Sequence, residues 1–187
     1  MNKTKRKIFE TSMKLFADKG YDATSIEEIT ANVGVAKGTL YYHFSSKEEI
    51  FNFLVEEGMK LLKNSISIKT AKMTNSLDKL RAIVLIQIKI LFKYENFITI
   101  ILSQIWGNDD RSKMCRNYVF EYIQMIEEIV KQGIKQGEIV NKDATLISSG
   151  IFGFICSSFI YKMRRDEVEV QKLFNEVDNV FIKKLRP

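Results

Sequence analysis

Residues 24–47 read TSIEEITANVGVAKGTLYYHFSSK, and their punctuation decides how the rest of the chain is read. Thr24 stands three residues before Glu27, the spacing of a capping box in which a hydroxyl and a carboxylate satisfy the first free amides of a helix. Ile26, Ile29 and Val33 follow at helical spacing, and Gly34 ends the run. A second short helix is expected from about Ala36, because Val35 and Leu40 need burial and Phe44-Ser45-Ser46 breaks the pattern. Ser46 and Glu49 repeat the capping-box spacing and open a longer helix through Ile50, Phe51 and Leu54 to about residue 64. Two short helices joined by a glycine-containing turn form a helix-turn-helix, which lays its second helix in the major groove of DNA.

The side chains of that second helix suit the groove. Lys37, Thr39, Tyr41, Tyr42 and His43 are polar or amphipathic, while Val35, Ala36 and Leu40 can face a core. Lys37 and Gly38 stand at its N-terminus, where a base edge or phosphate can come close because glycine has no side chain. No acidic residue lies between Glu28 and Glu48, so a phosphate approaching there meets no repulsion. Upstream, Lys3, Lys5, Arg6 and Lys7 admit two readings: an arm that orders on DNA, or solvated, disordered charge.

Upstream, Ile8, Ser12 and Leu15 with Phe9, Met13 and Phe16 repeat at three and four, predicting a helix over about 4–19 that Gly20 stops. Downstream, a polar loop near 72–76 precedes a helix capped by Asn75 or Ser76 and running to about 94. Its apolar residues Leu80, Ile83, Val84, Ile86, Ile88, Ile90 and Leu91 cover more than one face, which implies burial on several sides. Further helices are expected over about 97–106, from Asp109 or Asp110 to Gly137, over 143–164 and over 167–185. The single proline is Pro187, so no interior helix meets a proline break. The expected fold is all-α with about nine helices: residues 1–46 a helix-turn-helix DNA-binding domain, residues 47–187 a second helical domain.

Composition narrows the chemistry. At 187 residues, 45% hydrophobic and 28% charged, the chain is ordinary globular protein. Cys115 and Cys156 are far apart and match no metal or redox spacing, which fits reduced thiols in the cytoplasm. His43 is the only histidine, and neither a catalytic triad nor a phosphate-binding glycine loop is present; no enzyme, cofactor or metal is expected. Glu10 and Lys14 interrupt the basic start, so no apolar signal-peptide core follows it, and a cytoplasmic location is expected.

The net charge of +6 permits nucleic acid, anionic lipid or anionic metabolites as partners. Residues 1–50 hold eight basic and seven acidic side chains; the excess lies in 60–93, where eight basic residues face Asp78 alone. That segment is open to three readings: solvated surface, a flank for DNA, or a lure for an anionic ligand. Residues 144–161 carry no charge and approach the minimum length of a bilayer span. Ser148, Ser149, Gly150, Gly153, Ser157 and Ser158 lower their hydrophobicity and allow close backbone approach, so we read a helix covered by a partner rather than by lipid. With the last helix it would form an isologous four-helix interface over about 143–164 and 167–185.

Residues 9–51 resemble the DNA-binding region of the TetR family of bacterial transcriptional regulators. The resemblance lies in Leu-Phe-x-x-Lys-Gly-Tyr at 15–21, Thr-Ser-Ile-x-x-Ile at 24–29, Val-Gly-Val-x-Lys-Gly-Thr-Leu-Tyr-Tyr-His-Phe at 33–44 and Ser-Lys-Glu-Glu-Ile-Phe at 46–51. It implies a homodimer on a palindromic double-stranded operator, usually repressing, and released when a small molecule enters the C-terminal domain. By position it implies that Lys37, Gly38 and Thr39 approach bases, with Tyr41 a further base or backbone contact. Tyr42, His43 and Lys47, together with Thr24 or Ser25, would touch phosphates. Packing remains an alternative role for Tyr41 and Tyr42, and helix-end hydrogen bonding for His43. Glu27 and Glu28 stand where some members place a base-contacting arginine, which argues against readout from that helix.

For the effector, Gln87, Gln104, Trp106, Tyr118, Tyr122, Gln124 and Phe152 are the candidate lining residues, chosen as polar or aromatic side chains on otherwise apolar helices. Two effector classes are expected: a lipophilic drug-like compound, or an acyl chain carried on a phosphate-rich group. The second rests on residues 122–139 and 151–153, which resemble TetR-type regulators that respond to fatty acyl-CoA.

Overall fold

The computed structural model describes residues 2–165 and 167–187, and these form nine α-helices and no strand. In order they are α1 (Lys3–Lys19), α2 (Ile26–Val33), α3 (Lys37–His43), α4 (Lys47–Thr70), α5 (Ser76–Lys93), α6 (Glu95–Gln104), α7 (Asp110–Lys135), α8 (Ala144–Met163) and α9 (Val170–Val180). A 3₁₀ turn, Ile182–Leu185, follows.

The N-terminal charges belong to α1 rather than to a separate arm or a disordered segment, and Lys3, Arg6 and Lys7 stand exposed on it. Asn2 Oδ1 accepts from the Lys5 amide at 2.8 Å and starts the helix at Lys3. Lys5 Nζ stands 4.7 Å from the Phe44 ring centroid and 4.4 Å from that of Phe53. Arg6 pairs with Glu10, and Lys7 Nζ donates to the Val33 carbonyl at 2.6 Å. That last bond satisfies a free carbonyl at the end of α2 and sets a positive charge where the helix dipole favours one.

Local caps settle the other boundaries. The N-cap of α2 is Ser25, whose Oγ accepts from the Glu28 amide at 3.1 Å, one residue later than the Thr24 cap expected from spacing. Thr24 is buried, and its hydroxyl lies within bonding distance of the Gly20 carbonyl (2.9 Å) and the Leu15 carbonyl (3.3 Å). Gly34 ends α2 at φ +76°, a left-handed conformation that favours glycine. The helix α4 runs six residues beyond the expected end at 64, and α9 begins at Val170 rather than 167, giving way at Phe181 to the 3₁₀ turn.

Two compact units emerge: the chain up to Lys60 with Tyr94–Arg116, and Leu61–Lys93 with Asn117–Pro187. The first unit runs through the expected boundary at residue 46. In the first, Ile8, Phe16, Ile29, Val33, Leu40, Phe44, Ile50 and Phe51 are buried, so α1 to α4 share one core. Phe51 packs edge-on against Phe16 and Tyr21, with centroids 5.8 and 5.2 Å away.

In the second unit α5 is buried on several sides, as its pattern predicts. Its start is held by Asn75 Oδ1, which accepts from Asp78 N, and by Glu138 Oε2, which accepts from Ser76 N at 2.6 Å. Arg81 on α5 bonds Asp178 of α9 at 2.8 Å and Asp78 at 3.0 Å. On α8 the buried residues are Ile147, Ser148, Ile151, Ile155 and Ser158, spaced along one face, so the chain itself covers that face and leaves much of the helix in solvent.

Candidate nucleic-acid interface

The recognition unit hangs on one anchor. Leu40 is the fully buried residue of α3, Val35 is half-buried, and Ala36 is exposed, which corrects the expectation that Ala36 faces the core. A seven-residue helix anchored through one side chain presents most of its surface. Lys37, Gly38, Tyr41 and Tyr42 are exposed, Tyr42 at 84%; Thr39 and His43 are half-buried. Tyr42 therefore is not a packing residue, and its ring contact is with the neighbouring His43, 5.0 Å away and 72° inclined. Among the described residues nothing lies within 4 Å of the position a Cβ would take on Gly38, so no packing among them explains that glycine.

Charge on this surface is organised in pairs. Lys37 Nζ lies 2.5 Å from Glu27 Oε1, joining α3 to α2, and 5.9 Å from the Tyr41 ring centroid. The Lys37 bond holds the Glu27 carboxyl below its ordinary range and, reciprocally, Glu27 raises Lys37. Glu28 pairs with Lys19. Lys47, expected on a phosphate, donates two bonds inside the chain, to the carbonyls of Tyr21 (2.9 Å) and Thr24 (2.8 Å), and lies 4.2 Å from the Tyr21 centroid. Its first role is to tie the start of α4 to the α1–α2 turn; one of its three N–H donors is left for a phosphate. Thr24 is removed from the phosphate set by burial, whereas Ser25, the cap, is exposed.

Of the seven candidate effector residues the structure joins three. Gln87 Nε2 donates to Tyr122 OH at 2.6 Å, both side chains being buried, and the Tyr122 ring meets Phe152 at 6.3 Å and 71°. Burial raises the Tyr122 phenol above its ordinary range, and Gln87 Oε1 has no partner among the described residues. Tyr118 is half-buried with Lys63 Nζ 6.0 Å from its centroid. Gln104 and Trp106 lie in the first unit, and Trp106 is 80% exposed because α6 ends at Gln104 and Ile105 is the buried residue beyond it. Gln124 is exposed, since two residues on from Tyr122 places it roughly 200° around the helix. Trp106 and Gln124 thus leave the candidate cavity lining. Within the basic segment, Lys63 is paired with Glu121 and Arg81 with two aspartates.

Sequence reasoning missed Tyr21 and Arg111. The Arg111 guanidinium lies 3.9 Å from the Tyr21 centroid and pairs with Asp22 (3.3 Å) and Asp109 (2.8 Å). Tyr21 was legible as part of a motif, but its partner begins a helix far along the chain.

A capped short helix, a left-handed glycine turn and an exposed second helix define a helix-turn-helix DNA-binding protein. The model of bacterial regulatory proteins of the TetR family matches residues 8–54. A Clostridium perfringens candidate regulator of fatty acid metabolism shares the fold with a TM-score of 0.88 and 34% identity, over 94% of this chain and 96% of that one. The Staphylococcus aureus negative transcriptional regulator IcaR of the biofilm operon icaADBC is 38% identical over 76 residues, 41% of this chain and 41% of its own. The Bacillus subtilis HTH-type transcriptional regulator YerO is 41% identical over 68 residues, 34% of this chain and 24% of its own. The chain thus spans less than half the length of these curated relatives. It belongs to the TetR family.

Proposed function

We propose that this protein is a cytoplasmic transcriptional repressor, not an enzyme, that grips a palindromic operator as a homodimer and lets go when a small lipophilic molecule binds its C-terminal part. The observation that carries the reading is the outer face of α3, where Lys37, Gly38, Tyr41 and Tyr42 stand exposed on a helix that the fold anchors through Leu40. Residues 1–46 would hold the DNA, with Ser25, Thr39, His43 and the third donor of Lys47 as further contacts. Residues 47–187 would dimerise and bind the effector. IcaR is named a negative regulator, which supports repression.

Dimerisation has its own support. Among the described residues one helix, α8, is long and apolar enough to cross a membrane by length and composition, with mean hydropathy 1.6 and 28% of that stretch buried. Leu146, Ile160 and Met163 on it and Val180 on α9 are exposed. Burial of such surface is worth about 25 cal/mol per Å² of apolar area, and a second copy supplies the cover over 143–164 and 167–185. Two recognition helices must then meet major grooves about 34–36 Å apart, so an effector need only favour another spacing.

For the effector, Gln87, Tyr122 and Phe152 are the polar and aromatic groups to test first. The Clostridium perfringens relative favours an acyl chain over a drug-like compound. The reading is tested by band shift and footprinting on the DNA upstream of the protein's own gene, by size exclusion in detergent-free buffer, and by thermal shift with long-chain acyl-CoA. A detergent requirement would point to a membrane anchor in α8, and no stabilisation by acyl-CoA well above micromolar concentration would leave the drug-like class.

A further inference from the structure

Lys37 is the one formally charged side chain on α3, and its ammonium is held 2.5 Å from the Glu27 carboxylate of α2. Both side chains are more than half exposed, on the helices that form the recognition unit. The pair therefore presents a donor and an acceptor side by side with no net charge. Glu28, the other acid of α2's first turn, is engaged with Lys19 and does not compete for Lys37.

Such a pair has a definite complement in the major groove. A guanine edge offers the acceptors O6 and N7, which lysine reads; its paired cytosine offers the N4 amino donor, which a carboxylate accepts. A phosphate offers acceptors only. Lys37 has donors left to reach one while still paired, but Glu27, 2.5 Å away, then faces the phosphate with a like charge.

We propose that Glu27 and Lys37 read one G·C base pair as a unit, Lys37 donating to guanine and Glu27 accepting from the cytosine amino group, so that Glu27 is a specificity-determining residue. The inference rests on the reading that α3 enters the groove. It reverses the expectation that acidic residues on α2 exclude readout from that helix. At sequences lacking the base pair, the carboxylate opposes binding; at the matching pair both charges keep a partner. Glu27 thus lowers non-specific affinity while fixing one position of each half-site.

The test is selection from a pool of random-sequence duplexes with the full-length wild type, Glu27→Ala and Lys37→Met, each checked for folding by circular dichroism. Wild type is expected to enrich a symmetric sequence with a fixed G·C in each half-site. Glu27→Ala is expected to lose about tenfold discrimination at that position and at no other. On a scrambled duplex, Glu27→Ala binds more tightly, and its slope of log K against log salt steepens by about 0.9 per subunit as Lys37 turns to phosphate. Lys37→Met loses preference at the same base pair. Glu27→Ala selecting the wild-type sequence with undiminished preference at every position overturns the inference while DNA binding stands. A wild type that enriches no sequence overturns both.

Discussion

Arg111 lies over the ring of Tyr21, its guanidinium carbon 3.9 Å from the centroid, and Lys47 Nζ lies 4.2 Å from the same centroid. One ring from the α1–α2 turn thus gathers cations from the first turn of α4 and the first turn of α7. Lys47 also holds the Tyr21 and Thr24 carbonyls, and Arg111 holds Asp22, so the turn that places α2 is fixed by side chains outside it. The geometry of the helix-turn-helix depends on these contacts as well as on its own core.

Arg111→Ala is therefore expected to cost about 1–2 kcal/mol, the scale of a partly desolvated cation–π contact. Tyr21→Phe keeps the ring and stays near wild type, whereas Tyr21→Leu loses more than Arg111→Ala, because the ring also meets Lys47 and Phe51. Urea melts of the two single variants and the double variant give the coupling; losses that simply add would show that the ring and the guanidinium act separately.

Gly38 separates folding from recognition. Alanine there meets nothing within 4 Å and improves helix propensity by up to about 1 kcal/mol. Gly38→Ala should melt at or above the wild-type temperature yet bind operator more weakly, because the added methyl stands between the backbone and the groove. Unchanged affinity in a titration would mean that the duplex does not approach the backbone here.

The Gln87–Tyr122 bond predicts an asymmetric cycle. Tyr122→Phe strips a buried amide of its partner and costs about 1–3 kcal/mol, while pairing it with Gln87→Met removes the stranded group and recovers part of the loss. Denaturant midpoints report this directly. A double variant less stable than Tyr122→Phe contradicts the assignment of a buried polar pair.

Alkaline pH should destabilise the fold. Burial pushes the Cys115 thiol from its ordinary 9.0 up to about 12, and raises the Tyr122 phenol above 10.0. In the unfolded chain these groups release protons near pH 9 and 10; the folded chain keeps them. Their contribution is whole below pH 9 and falls as pH rises toward 12, by at most about 1.4 kcal/mol per pH unit for each proton. Cys115→Ala should flatten the fall above pH 9 in urea melts run across that range.

The short helices and the start of α4 were legible in the sequence because their signals are local: Gly34 at positive φ, Leu40 at core spacing, and Ser46 Oγ on the Glu49 amide. Thr24 was misread because two adjacent hydroxyl residues fit a cap, and the carbonyls of Leu15 and Gly20 decided between them. Gln87, Tyr122 and Phe152 were legible one by one as polar or aromatic groups on apolar helices, but nothing local says that they meet. Trp106 shows the converse: an aromatic in an apolar run reads as lining until the helix ends two residues before it. Glu27 looked like a departure from a pattern, and only its distance from Lys37 gave it a role.

The exposed face of α3 is the surface proposed to bind DNA. Fluorescence anisotropy with the duplex selected by wild type tests it most directly, comparing Lys37→Ala and Tyr42→Ala with wild type. Both side chains are more than half exposed, so both variants should fold as wild type does. Each substitution is expected to weaken binding, by about 5- to 100-fold, at unchanged melting temperature. Wild-type affinity in both variants would contradict it.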